Sequence, residues 1–233
     1  MPWPNSTFLP QVEMAFFRQH GDRAYWYQGA ICSCVTQGSD MAHAQVSCKV
    51  CGGLGRFYPN VPTYIRGVVS NAMQDRDLLA TGFAISDGDL VFSADPWGEW
   101  NIGPLDLIVF DGDPHQWPFE GQVLTRGTGA TDNLWYTASD LQLVTQSNPS
   151  TGAVTQYGGM AVSGKTIDWS GASSAPATGT NYSVKYRAKY EWVCYVPPMV
   201  RFEHTQSLGQ KVVLRKRHLV VNSAASVSPM LQA

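Results

Sequence analysis

Between Tyr182 and Arg187 the chain alternates strictly, with Tyr182, Val184 and Tyr186 on one side and Ser183, Lys185 and Arg187 on the other. A period of two marks a strand with one buried face. The same period, less clean, recurs at 64–70, 80–85, 89–92 and 105–110, then at 122–126, 134–137, 141–145, 154–157 and 166–169. Each of these segments predicts a strand. Ala188-Lys189 reads as a turn into a partner strand over 190–196, stopped by Pro197-Pro198, and 211–221 reads as the last strand. Asp87-Gly88 and Asp111-Gly112-Asp113-Pro114 have turn chemistry, and the loops 148–152 and 171–180 are rich in small, polar and proline residues. Helical spacing is convincing only over 10–20, where Val12, Ala15 and Phe16 fall at i, i+3 and i+4. Pro10 suits the first turn of that helix and Gly21 stops it.

The predicted fold is mainly β: a β-sandwich or barrel-like domain with long hairpins, a short N-terminal helix and an inserted four-cysteine knuckle. The chain divides into an N-terminal arm and helix (1–24), a cysteine-rich module (25–60), a β domain (61–221) and a C-terminal arm (222–233). The last is small and polar, composition that suits an arm ordered by a partner.

The cysteine module is the strongest chemical signal. Cys32 and Cys34 form a C-x-C pair, and Cys48 and Cys51 form a C-x-x-C pair followed directly by Gly52-Gly53-Leu54-Gly55. Pairs this close can converge on one tetrahedral centre, and the following glycines let the backbone turn tightly beneath the sulfurs. A structural zinc site held by Cys32, Cys34, Cys48 and Cys51 is the leading reading. Four thiolates close the coordination sphere, whereas a catalytic zinc keeps a position open for water. Disulfides, a redox pair at Cys48 and Cys51, and four unconnected buried thiols are the other readings. His43 lies between the pairs and is a solvated loop residue on this reading. Cys194, in an apolar run, reads as a buried strand residue.

Composition narrows the setting. The 233 residues are long enough for one large or two modest domains. Charged residues make up only 15%, against about 25% in average domains, while eight Trp, ten Tyr and nine Phe suit a surface spent on contacts. A net charge of −2 argues against non-specific nucleic-acid binding by the whole chain. The opening Met1-Pro2-Trp3-Pro4 lacks the regions of a signal peptide, and no run approaches the ~20 apolar residues of a membrane span. A soluble protein made in the cytoplasm, with no membrane partner, is expected.

Candidate catalytic groups are weaker. Asp106, Asp111 and Asp113, and the pair Asp87 and Asp89, sit in or beside glycine-containing turns, where aspartate is a good turn former. A hydrolase would need such acids in a pocket lined by Trp97, Trp100 or Trp117. No Gly-x-Ser-x-Gly elbow occurs, and the glycine-rich segment 52–55 matches neither the phosphate-loop pattern nor the dinucleotide fingerprint. Arg215-Lys216-Arg217-His218 reads as a charged, solvated edge strand with Arg215 and Arg217 on one face; contact with phosphates or with acids of a neighbouring subunit is the alternative.

Several segments together resemble the neck proteins of tailed bacteriophages, of the head-closure (stopper) or adaptor type. They are Leu105-Asp106-Leu107-Ile108, Val123-Leu124-Thr125-Arg126-Gly127, then Asp132 with Leu134-Trp135-Tyr136, and Ile167-Asp168-Trp169. Gly179-Thr180-Asn181-Tyr182-Ser183-Val184-Lys185-Tyr186 and Lys211-Val212-Val213-Leu214-Arg215 complete the set. The resemblance implies a non-enzymatic virion protein: a homo-oligomeric ring between the capsid portal or adaptor and the tail proteins, whose lumen passes DNA and touches it non-specifically. Another tail or baseplate protein is the nearest alternative; a β-sandwich hydrolase or carbohydrate-binding module is the alternative of a different class. A second, local resemblance joins 48–55 to the C-x-x-C-x-G-x-G element in the zinc region of J-domain co-chaperones, but the His-Pro-Asp triplet of their helical domain is missing. It implies shared knuckle geometry only.

Overall fold

The computed structural model describes residues 10–36, 44–45, 47–59, 61–74, 85–86, 88–95, 100–195, 199–203 and 206–220. The chain separates into two compact units: residues up to Asp111 together with those from Glu191 onward, and the intervening Gly112–Tyr190. These divisions differ from the sequence-based ones, since the segment 61–221 contributes to both units and the cysteine module belongs with the first.

The first unit is built on a closed, six-stranded antiparallel barrel. Its strands are β1 (Asp22–Tyr27), β4 (Thr63–Asn71), β5 (Leu90–Ala94), β6 (Leu107–Phe110), β14 (Trp192–Cys194) and β16 (Gln206–Lys216). They pair in the order β14-β6-β1-β4-β5-β16, and β16 closes the ring on β14. β15 (Met199–Glu203) extends the sheet beyond β16, and β2 (Ala30–Ile31) and β3 (Arg56–Phe57) form a separate two-stranded ribbon.

Strand register explains the interior. Ala24 lies opposite Ile65, Trp26 and Trp192 both lie opposite Ile108, Val212 faces Phe92 and Cys194 faces Leu214. All are buried. Because side chains alternate along a strand, this set points to one side of the closed sheet. Gly67 of β4 is required where it is: a Cβ there would stand 2.3 Å from the Phe92 ring and 2.5 Å from the Ser93 carbonyl oxygen. Residues of the opposite set are also covered. Leu107, Val109 and Val193 pack with Leu54, Leu105 and Val220, while Val91 and Val213 pack with Ala72.

The helix α1 (Pro10–His20) forms as expected and ends at Gly21, whose N–H bonds to the Phe17 carbonyl at 2.9 Å. Among its described side chains, 15–20, Phe17 is buried, whereas Ala15 and Phe16 of the expected stripe are exposed; the side chain of Val12 lies outside the described ones.

The second unit holds two antiparallel sheets around one core. β7 (Phe119–Thr125), β9 (Thr137–Ser147), β10 (Val154–Tyr157) and β13 (Asn181–Lys189) pair as β10-β9-β13-β7; β8 (Thr131–Asn133), β11 (Ala161–Ser163) and β12 (Thr166–Asp168) pair as β11-β12-β8. The alternation at 182–187 holds: Tyr182, Val184 and Tyr186 enter a core shared with Tyr136, Val144, Ile167 and Trp169.

Three strand expectations need correcting. The expected strand 190–196 does not return along β13: within it β14 pairs with β6 and β16 in the barrel, and Val196 lies outside the described residues. The last strand ends at Lys216, and 217–220 are helical. Residues 134–136 lie between β8 and β9, outside any strand. The expected strand 80–85, save its last residue, and Asp87 of the turn lie outside the described residues, as do both terminal arms and His43.

Candidate metal centre

The knuckle is shaped by two tight turns that the ribbon β2–β3 clamps together. Cys32 follows β2 directly and donates its N–H to the Gly55 carbonyl at 2.9 Å, while Val35 turns back onto the Cys32 carbonyl at 3.0 Å. In the second turn Gly52 N–H reaches the Cys48 carbonyl at 2.8 Å and Leu54 N–H the Cys51 carbonyl at 3.2 Å. Gly52, Gly53 and Gly55 have φ of +60°, +85° and +72°, a left-handed path that a β-carbon resists.

These turns bring Cys32, Cys34, Cys48 and Cys51 together, with all four Sγ atoms within 4.8 Å of one another. Cys32 and Cys48 sulfurs are 3.7 Å apart, and Cys34 and Cys51 sulfurs 3.5 Å. A disulfide needs about 2.05 Å, and all five cysteines are free thiols. A tetrahedral ion with sulfur at about 2.3 Å separates its ligands by about 3.8 Å. The spacing therefore fits four-sulfur coordination of a metal ion. Unconnected thiols scattered through a core do not describe it.

The electrostatics are uneven. N–H groups of Cys51 and Val50 aim at Cys48 and lower its thiol to about 6. Cys34 is pushed up to about 12, by desolvation and by its crowding against the other three thiols. Without an ion, Cys48 gives up its proton far more readily than Cys34; a cation at the centre would favour the thiolate at every ligand.

The knuckle has almost no core of its own, and its anchors to the rest of the unit are specific. Leu54 is fully buried among Leu105, Leu107 and Val193. Tyr58 donates its hydroxyl to the Leu105 carbonyl at 2.9 Å, and Arg56 reaches the Gly29 carbonyl at 3.0 Å. Asp106 accepts from the Trp26 indole (2.8 Å), from Gly29 N–H (2.8 Å) and from Gly103 N–H (2.7 Å). Leu105 before it has φ +66°, the only non-glycine positive value among the described residues. That conformation is held by its N–H on the Cys194 carbonyl at 2.8 Å and by Cys194 N–H on the Asp106 carbonyl at 2.9 Å. Cys194 is itself completely buried in β14, which raises its thiol well above the ordinary range and makes it a packing residue, as expected.

The other candidate residues go to structural posts. Asp113 behaves as a turn aspartate, accepting the His115 N–H at 2.9 Å. Asp89 and Asp106 also hold turns, accepting the N–H groups of Ser86 at 2.8 Å and Gly103 at 2.7 Å, but both are buried and take further donors from distant strands. Asp89 takes two bonds from Arg215, at 2.7 and 3.0 Å, and Arg215 also stacks 3.8 Å from the Tyr195 ring centre. Arg215 is thus a buried ion-pair member and not part of a solvated edge; Arg217, past the strand end, pairs with Glu191 at 2.6 Å. Trp97 lies outside the described residues, Trp100 belongs to the first unit, and Trp117 belongs to the second, where its indole donates to the Gly112 carbonyl at 3.1 Å.

Asp132 in the second unit had no warning in its spacing. Its carboxylate accepts from Tyr182 hydroxyl (2.7 Å), Trp169 indole (2.9 Å) and Gly127 N–H (2.9 Å), with Arg126 at 3.5 Å. Desolvation pushes its acidity the wrong way, but those donors and the Arg126 charge prevail and leave the carboxyl below its ordinary 3.8. No helix among the described residues is long and apolar enough to cross a membrane. No protein-family model matches the chain, and no curated protein matches it.

Proposed function

We propose that this chain is a structural virion protein of a tailed-bacteriophage neck, assembling as a homo-oligomeric ring that joins the capsid portal to the tail and lets DNA pass. The observation that carries the reading is where its motif residues go. Arg126, Gly127, Asp132, Trp169 and Tyr182, scattered through the segments that resemble neck proteins, meet on one buried carboxylate. A likeness carried by core-building residues is the kind that transmits a fold and its assembly, not a catalytic set. The low share of charged residues, 15%, supports the same reading, because obligate interfaces exclude charge from their centres.

The four cysteines hold one structural zinc ion on this reading. All-thiolate, closely spaced, tetrahedral ligation favours zinc among the common divalent ions. Cys32, Cys34, Cys48 and Cys51 would bind it, and it would supply a cross-link between two turns that share no hydrophobic core. Native mass of the purified chain, alone and with portal complexes, with zinc measured on the same sample, tests both statements. A ring, or a monomer captured by portal, carrying about one zinc per chain is expected. A monomer indifferent to portal overturns the neck assignment, and a metal-free folded chain overturns the zinc assignment.

A further inference from the structure

The second unit carries a cleft that no part of the neck reading uses. It is about 760 Å³ in volume and lies where the β9–β10 hairpin meets the ends of β7 and β13. That volume falls within the usual range of small-ligand sites. Its lining contains no Asp, Glu, Lys, Arg or His. Charged ligands would therefore find no counter-ion there.

The polar groups it offers are amides with a fixed direction. Asn148 Oδ1 accepts the Ser150 N–H at 3.0 Å, Asn181 Oδ1 accepts the Thr125 hydroxyl at 2.7 Å, and Gln146 Oε1 accepts the Tyr157 hydroxyl at 2.6 Å. With each carbonyl oxygen engaged, each amide turns its NH₂ group the other way, and none of the three nitrogens has a hydrogen bond among the described residues. Hydroxyls of Ser147, Thr155 and Ser183 add groups that both donate and accept. Val123, 64% exposed, and Pro149 supply apolar surface beside them.

Oriented amide donors, adaptable hydroxyls, small apolar patches and no charge are complementary to a neutral polyhydroxylated chain, whose hydroxyls donate and accept while its C–H faces need apolar contact. We infer that the cleft bounded by Gln146, Asn148 and Asn181 is a binding site for a neutral oligosaccharide. A peptide main chain presents fewer and more widely spaced polar groups, and it satisfies this lining less well. The inference is independent of the ring assignment.

The test is a titration of the full-length chain with maltotriose, cellotriose and tri-N-acetylchitotriose, following the Asn and Gln side-chain NH₂ resonances, with acetyl-triglycine amide as comparison. At least one sugar is expected to shift the resonances of Asn148, Asn181 and Gln146 together. Asn181→Asp and Asn148→Asp keep an oxygen to serve Thr125 or Ser150 and replace the amide donor with a charged oxygen that can only accept, at positions exposed enough to carry the charge without loss of the fold. Each should weaken sugar binding roughly tenfold, the effect of an unmade hydrogen bond. No shift with any sugar, unchanged binding by both variants, or a preference for the triglycine amide overturns the inference.

Discussion

The cysteine knuckle and the inserted second unit solve the same problem with opposite means. Each is a stretch of short strands and loops that must hold its shape. The insert does so with a core: Tyr136, Tyr182 and Tyr186 are fully buried, and one carboxylate ties three of its segments together. The knuckle buries Leu54 and two cysteines and little else. Its four sulfurs take the place of a core, because a segment that short cannot bury enough apolar surface to offset its conformational entropy. What distinguishes the two is therefore where the cooperative unit ends, and variants aimed at one region should leave the other intact.

The largest effect should come from the sulfurs. Cys48→Ser, or chelation at neutral pH, should abolish metal binding and expose the amides around Ala30–Ile31 and Arg56–Phe57 to hydrogen exchange. Amides of β9 and β13 should keep their protection. Metal analysis with exchange mass spectrometry reads both, and loss of protection throughout would mean that the knuckle is not a separate element.

Next is Asp132→Ala, which strands the Trp169 indole, the Tyr182 hydroxyl and the Gly127 N–H without their acceptor. Breaking such a buried network costs about 3–5 kcal/mol. The second unit should lose its exchange protection while metal content stays unchanged, the mirror image of the first experiment.

Gly67→Ala belongs to the barrel and should cost about 1–3 kcal/mol, the usual range for overpacking. Its added carbon meets the Phe92 ring, so Phe92→Leu in the same chain should recover part of the loss. Additive losses in a double-mutant cycle would show that the ring is not what excludes the side chain.

The smallest effect is acid sensitivity of the second unit. Asp132 has a lowered pKa, so it binds a proton less readily folded than unfolded. Its stabilisation is complete above the ordinary carboxylate value and is lost as pH falls through the lower, folded one. Tyr182 and Trp169 signals should therefore begin to melt earlier only below about pH 4, and Asp132→Asn should flatten that dependence.

Much of the local structure could be read along the chain. The alternation at 182–187 named its buried face correctly because one side of β13 meets a core and the other does not. The C-x-C and C-x-x-C pairs with their glycines announced a common centre, since ligand spacing and turn geometry are local properties. β1 carried no comparable signal: Tyr25 and Tyr27, on either side of Trp26, are as apolar as the buried set and keep partial cover, so its inward and outward faces look alike.

What the chain alone determined, then, was strand character, turn chemistry and the converging thiols, all set within a few residues. Only the tertiary structure decided partnerships. β14 looks like the return strand of β13 by sequence proximity, yet it closes a barrel between β6 and β16, on the far side of a 79-residue insert. Asp89 is the turn residue it looks like, bonding Ser86 N–H, but only the barrel brings Arg215, 126 residues away, to it as a buried partner where the sequence suggested a surface cation. Asp106 likewise holds its own turn through Gly103 N–H, but nothing near it in sequence announces that Trp26, 80 residues earlier, donates its indole to the same carboxylate. A buried charge or carboxylate is stable only when its partner is brought to it, and nothing local to either residue specifies that partner.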